Sequence, residues 1–252
     1  ILGFNLRMDL FKDPAVRRAL TAAINKQRIA ELVYYGGAKV PNQYVIPTSF
    51  SEWWYNPDAE QIGYDPVLAA KILDEAGYPV KDDGWRFHIT LKHTTGYPEH
   101  LKVAELVKED LKKIGVDVTI VSLEHAAWHE TVFQRWDFET SLLPFCSGPT
   151  PPTLRRFHTK NIKRISWANC MGYSNPEYDA LFDLMISETD KERRLGLVHR
   201  MQELLVWDQP AAFLLGPLNG TAIREGRFSE EPKGIWVLGY LWMHLNRIRP
   251  LE

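Results

Sequence analysis

The sequence has few of the features that mark disulfide scaffolds, membrane spans or polyanion-binding proteins. Only two cysteines, Cys146 and Cys170, occur among 252 residues; they are compatible with one bridge, although we favour two buried thiols. No run of about 18 apolar residues and no basic and apolar leader occurs, so the sequence predicts neither a membrane span nor a targeting segment. A formal net charge of −2 provides no long-range attraction to nucleic acid.

Catalytic motifs are also missing from the sequence. It contains no GxSxG elbow, no glycine-rich phosphate loop and no HExxH zinc motif. His125 and His129 are four residues apart and could share a helix face, but we interpret them as surface histidines in preference to a metal pair. Asp82 and Asp83 precede a glycine and are explained by turn chemistry. We therefore expect no enzyme activity, no metal site and no cofactor.

The composition and the hydrophobic pattern indicate an α/β protein with a sizeable core. Hydrophobic residues make up 45% of the chain and aromatic residues 12%. Apolar and polar residues alternate over residues 86–92 and 116–120, which predicts two strands, and an amphipathic helix over residues 98–114 lies between them. Such a βαβ unit has a right-handed crossover and parallel strands.

The first part of the chain predicts two successive helices. Asp13 is a suitable N-cap and Pro14 suits the first helical position, while Asn25 is placed to cap a second helix that ends near Gly36. The apolar face of the first helix predicts a docked helix whose remaining side chains point away from the core, among them Arg17, Arg18 and Thr21.

The rest of the chain predicts more elements of the same kinds. Helices are expected over residues 124–133, 176–188 and 191–207, and strands over residues 137–142 and 211–215. Between them, residues 144–175 are rich in Pro, Gly, Ser and Asn and show little periodicity. Loops of this length in compact domains are functional or disordered, and we interpret this one as functional.

Three motifs resemble segments of one protein family. The first is residues 4–47, with FN, DPAVRRAL, INK, GGA and IP in that order; the second is YDPVLAAKILDEAGY at residues 64–78; the third is YSNPEYDAL at residues 173–181. Their order and content are similar to the C-terminal lobe of family 5 extracellular solute-binding proteins, the dipeptide, oligopeptide and nickel receptors of ABC importers. The match is specific because the three motifs occur together and cover most of the chain.

The resemblance implies a fold and a domain organisation. The fold is expected to be a periplasmic-binding-protein-like lobe of type II, with a mixed sheet and flanking helices. Residues 1–9 are expected to form a hinge strand, residues 10–215 the C-terminal ligand-binding lobe, and residues 216–252 a return segment toward the first lobe. Family receptors are longer, so Ile1 is expected to lie within a longer protein whose export signal or anchor is not in this sequence.

The resemblance also implies a function. We expect the substrate-binding component of an ABC importer, periplasmic or anchored on the outer face of a membrane, which binds a solute between two lobes and delivers it to a membrane permease. No nucleic acid partner is expected. A sensor or regulator that uses the same lobe is the alternative, and the sequence preceding Ile1 would distinguish the two.

The candidate ligand contacts come from the same resemblance. In peptide-binding members a tryptophan at the position of Trp128 faces the cleft; a core tryptophan is the alternative here. Such members also place an aspartate after the following strand to pair with the peptide's amino group, but residues 140–176 contain no Asp or Glu. A buried ammonium without an opposite charge costs several kcal/mol, so we do not expect this lobe to hold a peptide N-terminus in the usual way, and a peptide ligand is less favoured.

Three ligand classes stay open at this point: an oligopeptide-like solute, an oligosaccharide and an anion. Residues 148–159, GPTPPTLRRFHT, are similar to a loop of members that bind oligosaccharides, whereas Arg155 or Arg156 could bind an anion. Trp53 and Trp54 supply aromatic side chains, although they could instead cover the helices of residues 14–33. The candidate ligand-binding residues are Trp53, Trp54, Trp128, Phe145, Cys146, Gly148, Thr150 and Tyr173.

Overall fold

A mixed five-stranded sheet forms the centre of the computed structural model, which describes residues 1–41, 44–45, 51–60, 62–145 and 150–217. Its strands lie in the order β4-β3-β5-β1-β6. Their bounds are β1 (Leu2–Phe4), β3 (Phe87–Thr94), β4 (Val116–Leu123), β5 (Thr140–Leu142) and β6 (Ala211–Ala212). A separate two-stranded ribbon pairs β2 (Ala38–Lys39) with β7 (Gly216–Pro217).

The strand directions confirm the predicted βαβ unit. β3 is parallel to both β4 and β5, whereas β1 is antiparallel to β5 and to β6. The crossover helix between β3 and β4 is α4 (Glu99–Lys112), which ends just before Gly115 with its positive φ of 75°. The α/β fold predicted from the sequence is therefore confirmed.

The helices α1 and α2 begin where the sequence predicts caps. Asp13 accepts a hydrogen bond from the amide of Ala15 at the start of α1, and Asn25 accepts one from Arg28 at the start of α2. The bounds are α1 (Pro14–Ala22), α2 (Lys26–Tyr34), α3 (Pro66–Glu75), α5 (His125–His129), the π-helix Glu130–Arg135, α6 (Pro176–Ser187) and α7 (Lys191–Asp208). None of the helices in the described ranges is long and apolar enough to cross a membrane.

Two apolar clusters cover the two faces of the sheet. Neighbouring residues on one strand enter different clusters, as Leu142 and Leu143 do at the end of β5, because successive side chains point to opposite faces. The first cluster is packed by α1 to α4, and the second by α5, α6 and α7. The sheet is therefore covered on both faces, as parallel strands require.

The prediction for the outer face of α1 was wrong at Arg17 and Thr21. Arg17 is only 4% exposed, and its guanidinium donates hydrogen bonds to the main-chain carbonyls of Phe11, Lys12, Asp208 and Gln209. Burial lowers the pKa of Arg17 to about 10, and the nearby Asp208 carboxylate opposes this shift. Thr21 is also buried and donates to the carbonyl of Arg17. These contacts join α1 to the end of α7.

Other differences concern the extent of elements. The strand expected over residues 137–142 begins only at Thr140, and the strand expected over residues 211–215 is limited to Ala211–Ala212. The segment of residues 144–175, expected as a loop, contains the 3-10 helices Pro151–Phe157 and Thr159–Asn161. Two further 3-10 helices span Asp9–Phe11 and Glu52–Trp54.

Candidate ligand-binding site

The carboxyl ends of the parallel strands β3, β4 and β5 meet at one side of the sheet. We call this side the carboxyl edge and define it by residues 94–97, 123–128 and 143–145 with Thr150. In open α/β sheets ligands bind outside the carboxyl ends of the strands. Its first two segments are joined by a 2.9 Å hydrogen bond from the amide of Thr95 to the carbonyl of Leu123.

The turn after β3 positions an exposed imidazole at this edge. The Thr94 hydroxyl lies 3.3 Å from Nδ1 of His125 and accepts a 3.1 Å hydrogen bond from the amide of Gly96. A Cβ atom added at Gly96 would lie 3.0 Å from the same Nδ1, so only glycine lets the turn approach the ring this closely. Tyr97 lies edge-on to His125 with 6.2 Å between ring centroids.

The acid at this edge is Glu124, which caps α5. One of its oxygens, Oε2, accepts hydrogen bonds from the amides of Ala126 and Ala127 at 2.9 and 3.4 Å. The side chain is exposed, and among the described residues no donor is recorded for its other oxygen. Glu124 therefore carries a negative charge at the carboxyl edge, although the loop after β5 contains no acid.

Residues 140–176 contain no Asp or Glu, but carboxylates from α6 and α7 contact them. Each of these carboxylates accepts a hydrogen bond from a residue of this segment. Asp179 accepts from the amide of Thr159 at 2.9 Å, and Asp183 accepts from Nζ of Lys160 at 2.8 Å. Asp208 accepts from the hydroxyl of Tyr173. These acids hold the segment against the helices.

Trp128, the last residue of the second segment of the carboxyl edge, is fully buried. Its indole N–H donates a 3.0 Å hydrogen bond to the hydroxyl of Ser141 on β5, and its ring packs edge-on against Phe133 at 5.6 Å. Phe133 in turn lies 6.0 Å from Phe145 and 5.2 Å from Trp167. The side chain of Trp128 has no exposed surface, so its ligand contact stays a prediction.

An aromatic path connects this core to the surface. Trp167 is 38% exposed and adopts a left-handed φ of 63°, which is uncommon for a bulky residue. Phe145 is buried, and the guanidinium of Arg156 lies 4.1 Å above its ring. Sequence reasoning included Phe145 but missed Trp167 and Phe133, because no local pattern distinguishes them from other core aromatics.

Two histidines near this edge have lowered pKa values. His100 stacks on Tyr97 at 4.8 Å, and burial lowers its pKa to about 3. For His129, burial and then the neighbouring His125 lower the pKa below its usual value. The environment therefore disfavours protonation of both rings at neutral pH.

The other predicted site residues are scattered over the chain. Trp54 is fully buried and packs on α7, where its carbonyl accepts a 2.8 Å hydrogen bond from Gln202, so the alternative that this residue covers α1 and α2 was wrong. Trp53 is exposed beside α7, and Thr150 is exposed before the 3-10 helix Pro151–Phe157. Cys146 and Gly148 lie outside the described residues.

Tyr173 lies at the opposite side of the sheet from the carboxyl edge. It is buried, and its hydroxyl donates a 2.6 Å hydrogen bond to Asp208, just before the amino end of β6. Burial raises the pKa of Tyr173, and the Asp208 carboxylate adds to this effect. Cys170 is a free, buried thiol whose pKa burial raises to about 12, which agrees with the preferred interpretation for this cysteine. In the described ranges no three His, Cys, Asp or Glu side chains are placed to hold a metal ion.

The comparisons with known proteins identify the family. A family model for bacterial extracellular solute-binding proteins, family 5 middle, matches residues 1–160. The chain belongs to this family. It is 31% identical over 234 residues to the oligopeptide-binding protein AppA of Bacillus subtilis, covering 89% of this chain and 42% of that protein. The heme-binding protein A of Haemophilus influenzae is 29% identical over 81% of the chain and 36% of its own length.

Solved structures of bacterial binding proteins share the fold. AppA of Bacillus subtilis in complex with a nonapeptide matches with a TM-score of 0.77 and 30% identity, over 86% of this chain and 44% of that one. A periplasmic oligopeptide-binding protein of Thermotoga maritima with bound mannohexaose matches with a TM-score of 0.81 over 99% and 51%, at 22% identity, which shows the fold alone. This chain spans less than half the length of the two curated relatives.

Proposed function

We propose that this chain forms one of the two lobes of a solute receptor for an ABC importer, and that the solute lies against its carboxyl edge. The observation that carries the proposal is the carboxyl edge itself. There an exposed imidazole and an exposed carboxylate, on His125 and Glu124, are held by Thr94, Gly96 and the start of α5. Family membership supports the same role, since the relatives are named as solute-binding proteins.

The remaining parts of the receptor follow as proposals. The relatives are more than twice as long as their match to this chain, so a second lobe is expected to close over the solute by hinge motion. Residues 1–9 and 216–252 would form the connections to that lobe, with residues 10–215 as the C-terminal lobe. The receptor would act in the periplasm or on the outer face of a membrane and deliver its solute to a permease.

We propose an oligopeptide-like solute, because AppA is an oligopeptide-binding protein and was solved with a nonapeptide. The free ammonium of such a peptide needs an opposite charge when it is enclosed. Asp179, Asp183 and Asp208 already have side-chain or amide partners, whereas Glu124 is exposed and only one of its oxygens accepts, from the amides at the start of α5. Glu124 is therefore proposed to meet the ammonium in place of an acid in the loop after β5.

Titrations of the chain followed by NMR test this proposal. A nonapeptide, a dipeptide, their N-acetylated forms and mannohexaose should be compared, at millimolar concentration because one lobe supplies only part of the enclosing surface. We expect the free peptides to shift the amides of Gly96 and His125, and Glu124→Gln or N-acetylation to weaken that binding. Glu188→Gln is the matched control, because Glu188 is exposed and also accepts from a backbone amide.

Two results would contradict the proposal at different levels. Shifts with mannohexaose alone would exclude a peptide solute while leaving the carboxyl edge as the binding surface. No shift at the carboxyl edge with any of these solutes would refute the receptor role proposed for this surface.

A further inference from the structure

A small pocket lies on the helical layer beside the start of α7. It has a volume of about 220 Å³ and is lined by Trp53, Thr189, Lys191, Arg194, Leu195 and Val198, with Pro151 at its margin. We propose that this pocket binds a carboxylate carried on a compact, partly apolar body, such as a uronic acid residue or a C-terminal amino acid.

The polar side of the pocket is cationic and lacks partners. Among the described residues, neither Lys191 nor Arg194 forms an ion pair with a carboxylate, and Nε of Arg194 is enclosed without a hydrogen-bond acceptor. A buried donor without an acceptor is unfavourable, and a carboxylate supplies a charge-assisted one. The pocket therefore lacks the group that a bound carboxylate would provide.

Within the described residues, none of the acids at the start of α7 (Glu188, Asp190 and Glu192) forms an ion pair with these cations. Asp190 caps α7 by accepting a 2.8 Å hydrogen bond from the amide of Arg193, and Glu188 accepts one of 2.8 Å from the amide of Asp190. Both carboxylates are therefore directed at the main chain. The amino end of α7 adds a favourable potential for an anion on the same side.

The apolar side of the pocket is held in place. Trp53 is 47% exposed, whereas its neighbour Trp54 is fully buried and fixed to α7 through the bond from Gln202. Val198 is buried and Leu195 half-buried beside it. A volume of about 220 Å³ is below the roughly 300–1,000 Å³ of sites for drug-sized ligands, so one sugar or one amino acid residue fits.

The pocket is complete within this chain, so the inference does not depend on a second lobe or an importer. α7 begins here and ends at Asp208, just before the amino end of β6, which is parallel to β5. Pro151 links the pocket to the segment that follows β5.

The test uses the indole N–H resonance of Trp53 in titrations of the chain with two pairs of small molecules. N-acetyl-L-leucine is compared with its amide, and glucuronate with glucose. We expect at least one acid to bind at least tenfold more tightly than its uncharged partner, and the stronger acid identifies the source of the carboxylate. Arg194→Gln should weaken that binding at least tenfold, whereas Arg193→Gln, an exposed neighbour that does not line the pocket, should leave it unchanged.

Three outcomes would overturn the proposal. They are the absence of any shift at Trp53, equal binding of an acid and its uncharged partner, and unchanged binding by Arg194→Gln. If Arg194→Gln disturbs the amide spectrum of α7, the exposed Lys191 provides the same test through Lys191→Gln.

Discussion

Replacing His100 by phenylalanine should make the stability of the chain less sensitive to a fall in pH from 7 to 5. His100 is 8% exposed and stacks on Tyr97, and burial lowers its pKa to about 3 from the usual 6.5. Below pH 6.5 the unfolded chain takes up a proton at this ring, while the folded chain does not until the pH approaches 3. Stability from this residue is therefore lost progressively as the pH falls through that window.

The magnitude follows from the two pKa values. At pH 5 the unfolded imidazole is largely protonated and the folded one is neutral, which corresponds to about 2 kcal/mol of lost stability, against about 0.2 kcal/mol at pH 7. Phenylalanine keeps a ring against Tyr97 and removes the titration. All other titrating groups, including His129, contribute to both proteins.

Urea unfolding at pH 7, 6 and 5 measures this difference. The wild type should lose about 2 kcal/mol more than His100→Phe between pH 7 and pH 5. Equal losses for the wild type and His100→Phe would refute the conclusion that burial keeps His100 neutral.

Three further substitutions test the core and the carboxyl edge. Trp128→Phe removes a buried hydrogen bond and part of a buried ring. The free energy of unfolding should therefore fall by about 2 kcal/mol. Unchanged stability with weaker peptide binding would instead assign Trp128 to the ligand surface. Arg17→Met leaves several carbonyls without their donor. At about 1–3 kcal/mol for each buried group left unsatisfied, it should cost at least about 3 kcal/mol, compared with less than about 0.5 kcal/mol for the exposed Arg193→Met. Equal costs would contradict the buried role. Gly96→Ala places a Cβ atom near His125 and should displace that imidazole. The displacement is measured by NMR as shifted ring resonances of His125, and unshifted resonances would contradict the close approach.

Local sequence signals predicted the elements that depend on local interactions. The capping residues Asp13 and Asn25 hydrogen-bond as expected, because a cap acts on amides two or three residues away. The alternating patterns of β3 and β4 and the stripe of α4 predicted the βαβ unit, since each period reports which side faces a core. The family motifs then predicted the type of fold.

Contacts between distant segments were not predictable in the same way. Arg17 is buried because it reaches carbonyls about 190 residues further along the chain, and nothing near α1 indicates their presence. Trp53 and Trp54 are adjacent and identical in type, but α7 buries only the second. The sequence therefore identified aromatic residues as candidates without showing which of them offer surface to a ligand.

The position of β1 in the sheet affects how this lobe can fold during synthesis. Leu2 pairs with Leu142 on β5 and Leu2 also pairs with Ala212 on β6, so its partners lie about 140 and 210 residues further along. At a synthesis rate of roughly 5–20 residues per second, the second partner leaves the ribosome about 10–40 s after β1. Pairings of such large sequence separation form slowly because the closure of a long loop precedes any gain from contacts. Within this sheet, β1 is therefore made before the other strands but is among the last of them to be paired.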